Sequence, residues 1–99
     1  MPGVTRDGDA TTTGHGCNTT TTVTGPSTNV FCNGLGVERK TDPTASHEIT
    51  AGLGCVAHTS SISAGSGTVK VNNLPIARIG DACDSGAITG GSGNVIAGG

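Results

Sequence analysis

The chain has 99 residues, of which 18 are Gly, 16 Thr and 8 Ser, whereas Leu, Ile, Val and Phe together supply 18 and Phe31 is the lone aromatic. That length allows one small domain spanning residues 1–99. The composition excludes a helical bundle and leaves a conventional core, at ~25 cal/mol per Å² buried, too thin to offset chain entropy. A formal net charge of −2 with 12% charged residues excludes both a self-repelling disordered chain and a basic footprint for nucleic acid or anionic lipid. No stretch approaches the ~20 apolar residues of a membrane span. Residues 1–7 lack the apolar run of a signal peptide, so synthesis in the cytoplasm is expected.

In chain order, Arg6 and Asp9 open the pattern as Arg-x-x-Asp. Residues 11–16 read as a loop, and the Thr run at 19–22 as an exposed strand or loop. Val30-Phe31-Cys32, the turn pair Asn33-Gly34 and Val37-Glu38-Arg39 read as a β-hairpin, Asn-Gly being the strongest short hairpin signal. Residues 43–58 look like a second, longer loop. Val69-Lys70-Val71 alternates with the period of a one-sided strand, Asn72-Asn73 turns, and Ile76-Ala77-Arg78-Ile79 returns until Gly80-Asp81 ends it. Almost no helix is expected.

The hairpins are copies. A shift of 39 residues superposes Ser27, Val30, Asn33, Leu35, Arg39, Asp42, Ile49, Thr50 and Gly52 on Ser66, Val69, Asn72, Leu74, Arg78, Asp81, Ile88, Thr89 and Gly91. Arg-x-x-Asp occurs at Arg6, Arg39 and Arg78, where it reads as an ion pair or turn cap at a hairpin end. Ser-x-[Asn/Thr]-Val occurs at Ser27, Ser66 and Ser92, alternating with the first signal. Three related units of unequal length follow.

Each unit releases one candidate metal ligand beyond its acidic end: His15 six residues after Asp9, His47 five after Asp42, Cys83 two after Asp81. His58 comes from the long loop of the middle unit. Hairpins set about a pseudo-threefold axis would bring these four together, and three imidazoles with one thiolate fit tetrahedral structural zinc, whose binding energy becomes folding energy. Cys17, two residues from His15, competes with Cys83 for this role, and Cys55 lies three residues before His58. A Cys17–Cys55 disulfide is the alternative in an oxidising setting. Cys32 aligns with Val71 and reads as a small buried apolar residue. A catalytic zinc would need a base, and Glu48 beside His47 is the one acidic residue that can be cast so, without an HExxH or paired carboxylates to support it.

Pro75-Ile76-Ala77-Arg78 followed by Gly80-Asp81, with Gly91-Ser92-Gly93-Asn94-Val95 beyond, resembles the PAAR-repeat proteins that tip contractile injection machines. The resemblance covers residues 4–99, with Gly36-Val37-Glu38-Arg39 replacing the tetrad in the middle unit and only Arg6-Asp7-Gly8-Asp9 retained in the first. It implies an all-β fold: a small cone of three pseudo-threefold β-hairpin units converging on one zinc at the apex, held by His15, His47, His58 and Cys83. It also implies a non-enzymatic partner role, one tip per trimeric β-helical spike protein of a phage tail or type VI secretion apparatus. The base of the cone would continue the spike's strands, the apex would touch the target-cell envelope transiently, and neither nucleic acid nor an appended effector domain is expected. Two functions outside that family are a small zinc hydrolase using Glu48 and a secreted, disulfide-stapled binding module.

Overall fold

The computed structural model describes residues 2–99, and among them there is no helix. Ten short strands form five antiparallel hairpins: β1 (Ala10–Thr12) with β2 (Thr20–Thr22), β3 (Phe31–Cys32) with β4 (Leu35–Gly36), β5 (His47–Ala51) with β6 (Gly54–His58), β7 (Lys70–Val71) with β8 (Leu74–Pro75), and β9 (Ala82–Cys83) with β10 (Gly86–Ala87). The turns at Asn33-Gly34 and Asn72-Asn73 place all four residues at positive φ, between 54° and 79°. That is the mirror-image turn whose twist matches a tight hairpin, and Asn and Gly are the residues that tolerate it.

The hairpins fall into two tiers around one axis. Each Arg-x-x-Asp marks the passage between them. In all three copies the Asp carboxylate accepts bonds from the Arg backbone N–H and from Nε and Nη2, at 2.8–3.1 Å, and the Asp N–H returns to the Arg carbonyl at 3.0 Å. The motif is therefore an ion pair folded over a turn. Beyond it come β1–β2, β5–β6 and β9–β10; before it come β3–β4, β7–β8 and a third unit made from both ends of the chain. There Ser92 N–H donates to Val4 O at 2.8 Å and Val4 N–H to Val95 O at 2.9 Å, with Gly3 bridged to Ile96. These repeat the bonds of Ser27 and Ser66 to Val37 and Ile76, at 2.9 Å in both. Gly3-Val4-Thr5-Arg6 thus fills the place of the tetrad that seemed to be missing from the first unit.

The three units are tied by a closed ring. Thr5 N–H donates to Ala77 O, Ala77 N–H to Glu38 O, and Glu38 N–H to Thr5 O, each at 3.0 Å. The segments expected to return as long strands therefore leave their own hairpins after a few residues and bond to the neighbouring unit. Two further expectations are corrected by the same bonding. Residues 43–58, expected as a loop, contain the longest hairpin, β5–β6, and β1 claims the start of the loop expected at 11–16. Ile62 and not Ile49 corresponds to Ile88, because Val23, Ile62 and Ile88 make equivalent bonds to Asp9, Asp42 and Asp81 carbonyls at 2.9–3.0 Å. The longer middle hairpin shifts the register after Asp42.

Rings stack into a core of small side chains. Cys32, Val71 and Ala97 form one layer, and Val4, Val37 and Ile76 the next. Val23, Ile62 and Ile88 lie toward the other end with Ala77 and Cys83. Ser27, Ser66 and Ser92 are buried between 1% and 4% exposure, and each hydroxyl accepts the N–H of the Val three residues on. The body measures 42 × 23 × 23 Å, a narrow form with little interior, which is how so few large apolar residues suffice.

Glu38 is the exception in that interior. Its side chain is 0% exposed and both carboxylate oxygens lack a hydrogen-bond partner. Burial, reinforced by the Asp42 and Asp7 charges, pushes its pKa up to about 9 despite the opposing Arg39, so the carboxyl is neutral in the folded protein at pH 7. The unfolded chain gives up that proton near pH 4.5, hence folded protein binds more protons between about 4.5 and 9. Stability should fall as pH rises through that window, by up to ~1.4 kcal/mol per unit from this group. Glu38→Gln should flatten the fall, and urea midpoints measured from pH 5 to pH 9 check it; equal slopes for both proteins would refute it.

Candidate metal centre

His15, His47, His58 and Asp84 come together at the end of the second tier, with one ligand atom from each lying within 4.8 Å of every other. The three apical hairpins deliver them. His15 sits in the loop between β1 and β2, His47 and His58 are the paired ends of β5 and β6, and Asp84 stands in the two-residue turn between β9 and β10 at φ 55°. The His15 loop passes tightly over that turn: at Gly14, φ 73°, an added Cβ would run into the Ser85 carbonyl. Asn18 anchors the far side of the loop to β5, accepting Glu48 N–H at 2.7 Å and donating its own N–H to Glu48 O at 3.0 Å.

All three imidazoles aim Nε2 at one oxygen. Asp84 Oδ2 lies 2.8 Å from His15, 2.9 Å from His47 and 3.4 Å from His58, and the His15 and His47 Nε2 atoms are 3.3 Å apart. The His15 and His47 rings stack at 12° between planes, while His58 stands edge-on to both. The opposite nitrogens are committed: His15 Nδ1 faces Gly16 O at 3.0 Å and His47 Nδ1 faces Ala45 O at 2.9 Å. A carbonyl only accepts, so these Nδ1 atoms carry the hydrogens and the neutral rings offer bare Nε2 lone pairs. His58 Nε2 is buried and makes no hydrogen bond.

Lone pairs thus converge on a carboxylate oxygen, an arrangement that asks for a positive charge at its centre. A proton meets part of that demand. The Gly16 carbonyl raises the His15 pKa, burial opposes, and Asp84 adds to the rise. Burial pushes Asp84 up, but its bonds with His15 and His47 outweigh that and leave its pKa below the ordinary value. A cation satisfies all four groups at once, and imidazole with carboxylate is a donor set for a first-row transition metal.

Cys83 does not join them. It lies at 0% exposure in the apolar cluster of Val23, Ile62, Ala77 and Ile88, outside the group formed by the three histidines and Asp84. Symmetry explains the position. Cys83 follows Asp81 by two residues as Thr11 follows Asp9 and Thr44 follows Asp42, and all three bridge the next unit, to Ile62, Ile88 and Val23. The next residue, Asp84, rounds the turn to the apex; its signal in the sequence was only that it adjoins Cys83. Cys32 is likewise a free buried thiol, at the Val71 level as expected. Cys17 and Cys55 are joined in a disulfide. Glu48 is exposed on the face of β5 opposite the buried His47, and no cavity opens beside the cluster among the described residues.

The sequence model for the PAAR motif matches residues 7–90 of these 99. The chain belongs to the PAAR-motif family. A comparison with curated proteins returned no match. The match runs from within the first Arg-x-x-Asp turn to Gly90 and covers the apical hairpins and two of the three units of the hairpin tier.

The geometry of this PAAR-motif chain separates Asp84 from Cys83 experimentally. Cobalt(II)-loaded protein should lack a thiolate-to-metal charge-transfer band, and Cys83→Ser should retain full metal stoichiometry. Asp84→Ala should lose more affinity than the ~10–100-fold typical of deleting an outer partner of a metal ligand. A strong thiolate band that disappears in Cys83→Ser would reverse the assignment.

Proposed function

We propose that this chain is the zinc-clamped point of a contractile injection machine, seated as a single tip on a trimeric β-helical spike of a phage tail or a type VI secretion apparatus. The observation that carries the reading is the polarity of the pseudo-threefold stack, in a chain of the PAAR-motif family. One end gathers His15, His47, His58 and Asp84. The other exposes Val30, Phe31, Leu35, Val69, Val95 and Ile96 around the hairpin tips. Three related units around one axis let a single chain meet a true threefold partner, whose strands the hairpin-tip end would continue.

Zinc is the proposed ion, with His15, His47, His58 and Asp84 as ligands, since nitrogen and oxygen donors in a compact group of four suit its tetrahedral preference. Bound there it would neutralise Asp84 and cross-link the three apical hairpins. The chain's own contribution is orientation: Gly16 and Ala45 carbonyls fix the tautomers, and β5–β6 pairing sets His47 opposite His58. The role is structural and mechanical. A metal-clamped apex would concentrate force where the tip meets the envelope of the target cell.

The single Cys17–Cys55 bond is the one feature that favours a disulfide-stapled binding module, but it joins two ligand-bearing segments, and Cys32 and Cys83 stay apart from it.

Metal removal tests the clamp. A site filled at a thousandfold excess over Kd contributes ~4 kcal/mol, which at ~4–8 °C per kcal/mol corresponds to a fall of roughly 15–30 °C in Tm with chelator. Identical melting with and without chelator would sink the metal.

Spike docking is tested by co-purification with the candidate trimer at one chain per trimer. Phe31→Asp, at a side chain 63% exposed, should weaken that binding at least ~10-fold with Tm and metal content unchanged. Wild-type binding by Phe31→Asp would remove the hairpin-tip end from the interface.

A further inference from the structure

We infer that the Cys17–Cys55 disulfide is a redox latch on the metal centre, so that the oxidised protein holds its ion tightly and the reduced protein releases it. The inference rests on the metal site proposed above. Cys17 lies two residues beyond His15, and Cys55 lies three before His58. The bond therefore ties the loop that carries one ligand to the strand that carries another, 38 residues apart in sequence.

The strand that carries Cys55 and His58 has few other supports. Among the described residues β6 pairs only with β5, and every residue of β6 before His58 is exposed. His58 has 27% of its side chain exposed, against 3% for His47, so it is the ligand with least packing to fix it. Cys17 is at φ 71°, a left-handed conformation that a non-glycine residue keeps only when its surroundings enforce it. Its Sγ also takes the Thr50 hydroxyl at 3.5 Å, on the strand opposite Cys55. Cutting the S–S bond removes the covalent constraint on Cys17 and the direct tie between the His15 loop and the His58 strand in one step. His47, buried in its strand, and the Asn18–Glu48 pairing survive that cut, so the site loosens without the fold being lost.

Access supports the same reading. Both half-cystines are exposed, so a reductant reaches them directly, whereas Cys32 and Cys83 are buried and inert to it. Exposed disulfides are the labile, regulatory kind. The step is a thiol–disulfide exchange with a dithiol of the redox-protein class. The Cys17–Cys55 bond takes up two electrons and two protons to give two thiols, and the dithiol is oxidised to its own disulfide.

The test measures zinc affinity by competition with a chromophoric chelator for the full chain, before and after reduction by a water-soluble phosphine. The phosphine takes an oxygen from water and leaves the two thiols. Reduction should weaken zinc binding ~10–100-fold, the effect typical of losing support for a metal ligand. The Cys17→Ser/Cys55→Ser variant should bind like reduced wild type, with the same affinity with and without phosphine, and near-wild-type amide dispersion by NMR shows that it is folded. Affinities within twofold for oxidised and reduced protein, or tighter binding after reduction, overturn the latch while leaving the metal site intact. Absence of zinc binding in both forms overturns the latch and the metal site together.

Discussion

Three backbone hydrogen bonds passed head to tail around one axis organise everything else in this molecule. Because Thr5, Glu38 and Ala77 each donate to one neighbour and accept from the other, their peptide groups are satisfied without a continuous sheet, and each unit is complete only in the presence of two others. The ring draws three segments of the chain close to an axis, leaving room there for Thr, Ala, Ser and Val but for few larger groups. That accounts for the composition. It also accounts for the recurring signals: Arg-x-x-Asp folds the chain from one tier to the next, and the buried serines accept the N–H groups that the hairpin openings would leave orphaned.

The ligand cluster arises where that symmetry is broken. The apical hairpins start at equivalent points but differ in length, and each places a different part of itself at the apex: the connecting loop of β1–β2, the paired ends of β5–β6, the tight turn of β9–β10. Equal hairpins would have supplied three equivalent positions. Unequal ones assemble a mixed set of three imidazoles and a carboxylate. The price is that no repeat-based rule locates the ligands, since each occupies its own offset from the acidic end of its unit.

Much of the fold was legible because it rests on local chemistry. Asn33-Gly34 and Asn72-Asn73 announce their turns whatever surrounds them, and the alternation of Arg-x-x-Asp with Ser-x-[Asn/Thr]-Val carries the number of units. His15 and His47 stood out in the sequence by following Asp9 and Asp42, His58 only as a residue of the long middle segment, and the fold brings the three together. What escaped was set by contacts between units. Whether residue 83 or 84 reaches the apex depends on the ring bonding that assigns Cys83 to the same inward level as Thr11 and Thr44, and no spacing within one unit reveals that. Residues 43–58 read as loop because Ala, Gly and Pro are weak strand formers, yet the Asn18 clasp on Glu48 and the pairing of His47 with His58 hold them as a hairpin. Gly3-Val4-Thr5-Arg6 was missed as a repeat because its partner half lies at the opposite end of the chain.

That last arrangement governs how the molecule must be made. The unit assembled from Gly3 to Asp9 and Ser92 to Ala97 brings together the first and last residues of the described chain. The ring needs only Thr5, Glu38 and Ala77, but the third unit of the hairpin tier stays open until Ser92 to Ala97 are in place, with two finished hairpin units beside it. Contacts of such long sequence separation make for slow closure. Until Ser92 to Ala97 reach Gly3 and Val4, aggregation is the competing fate of chains whose third unit is unfilled.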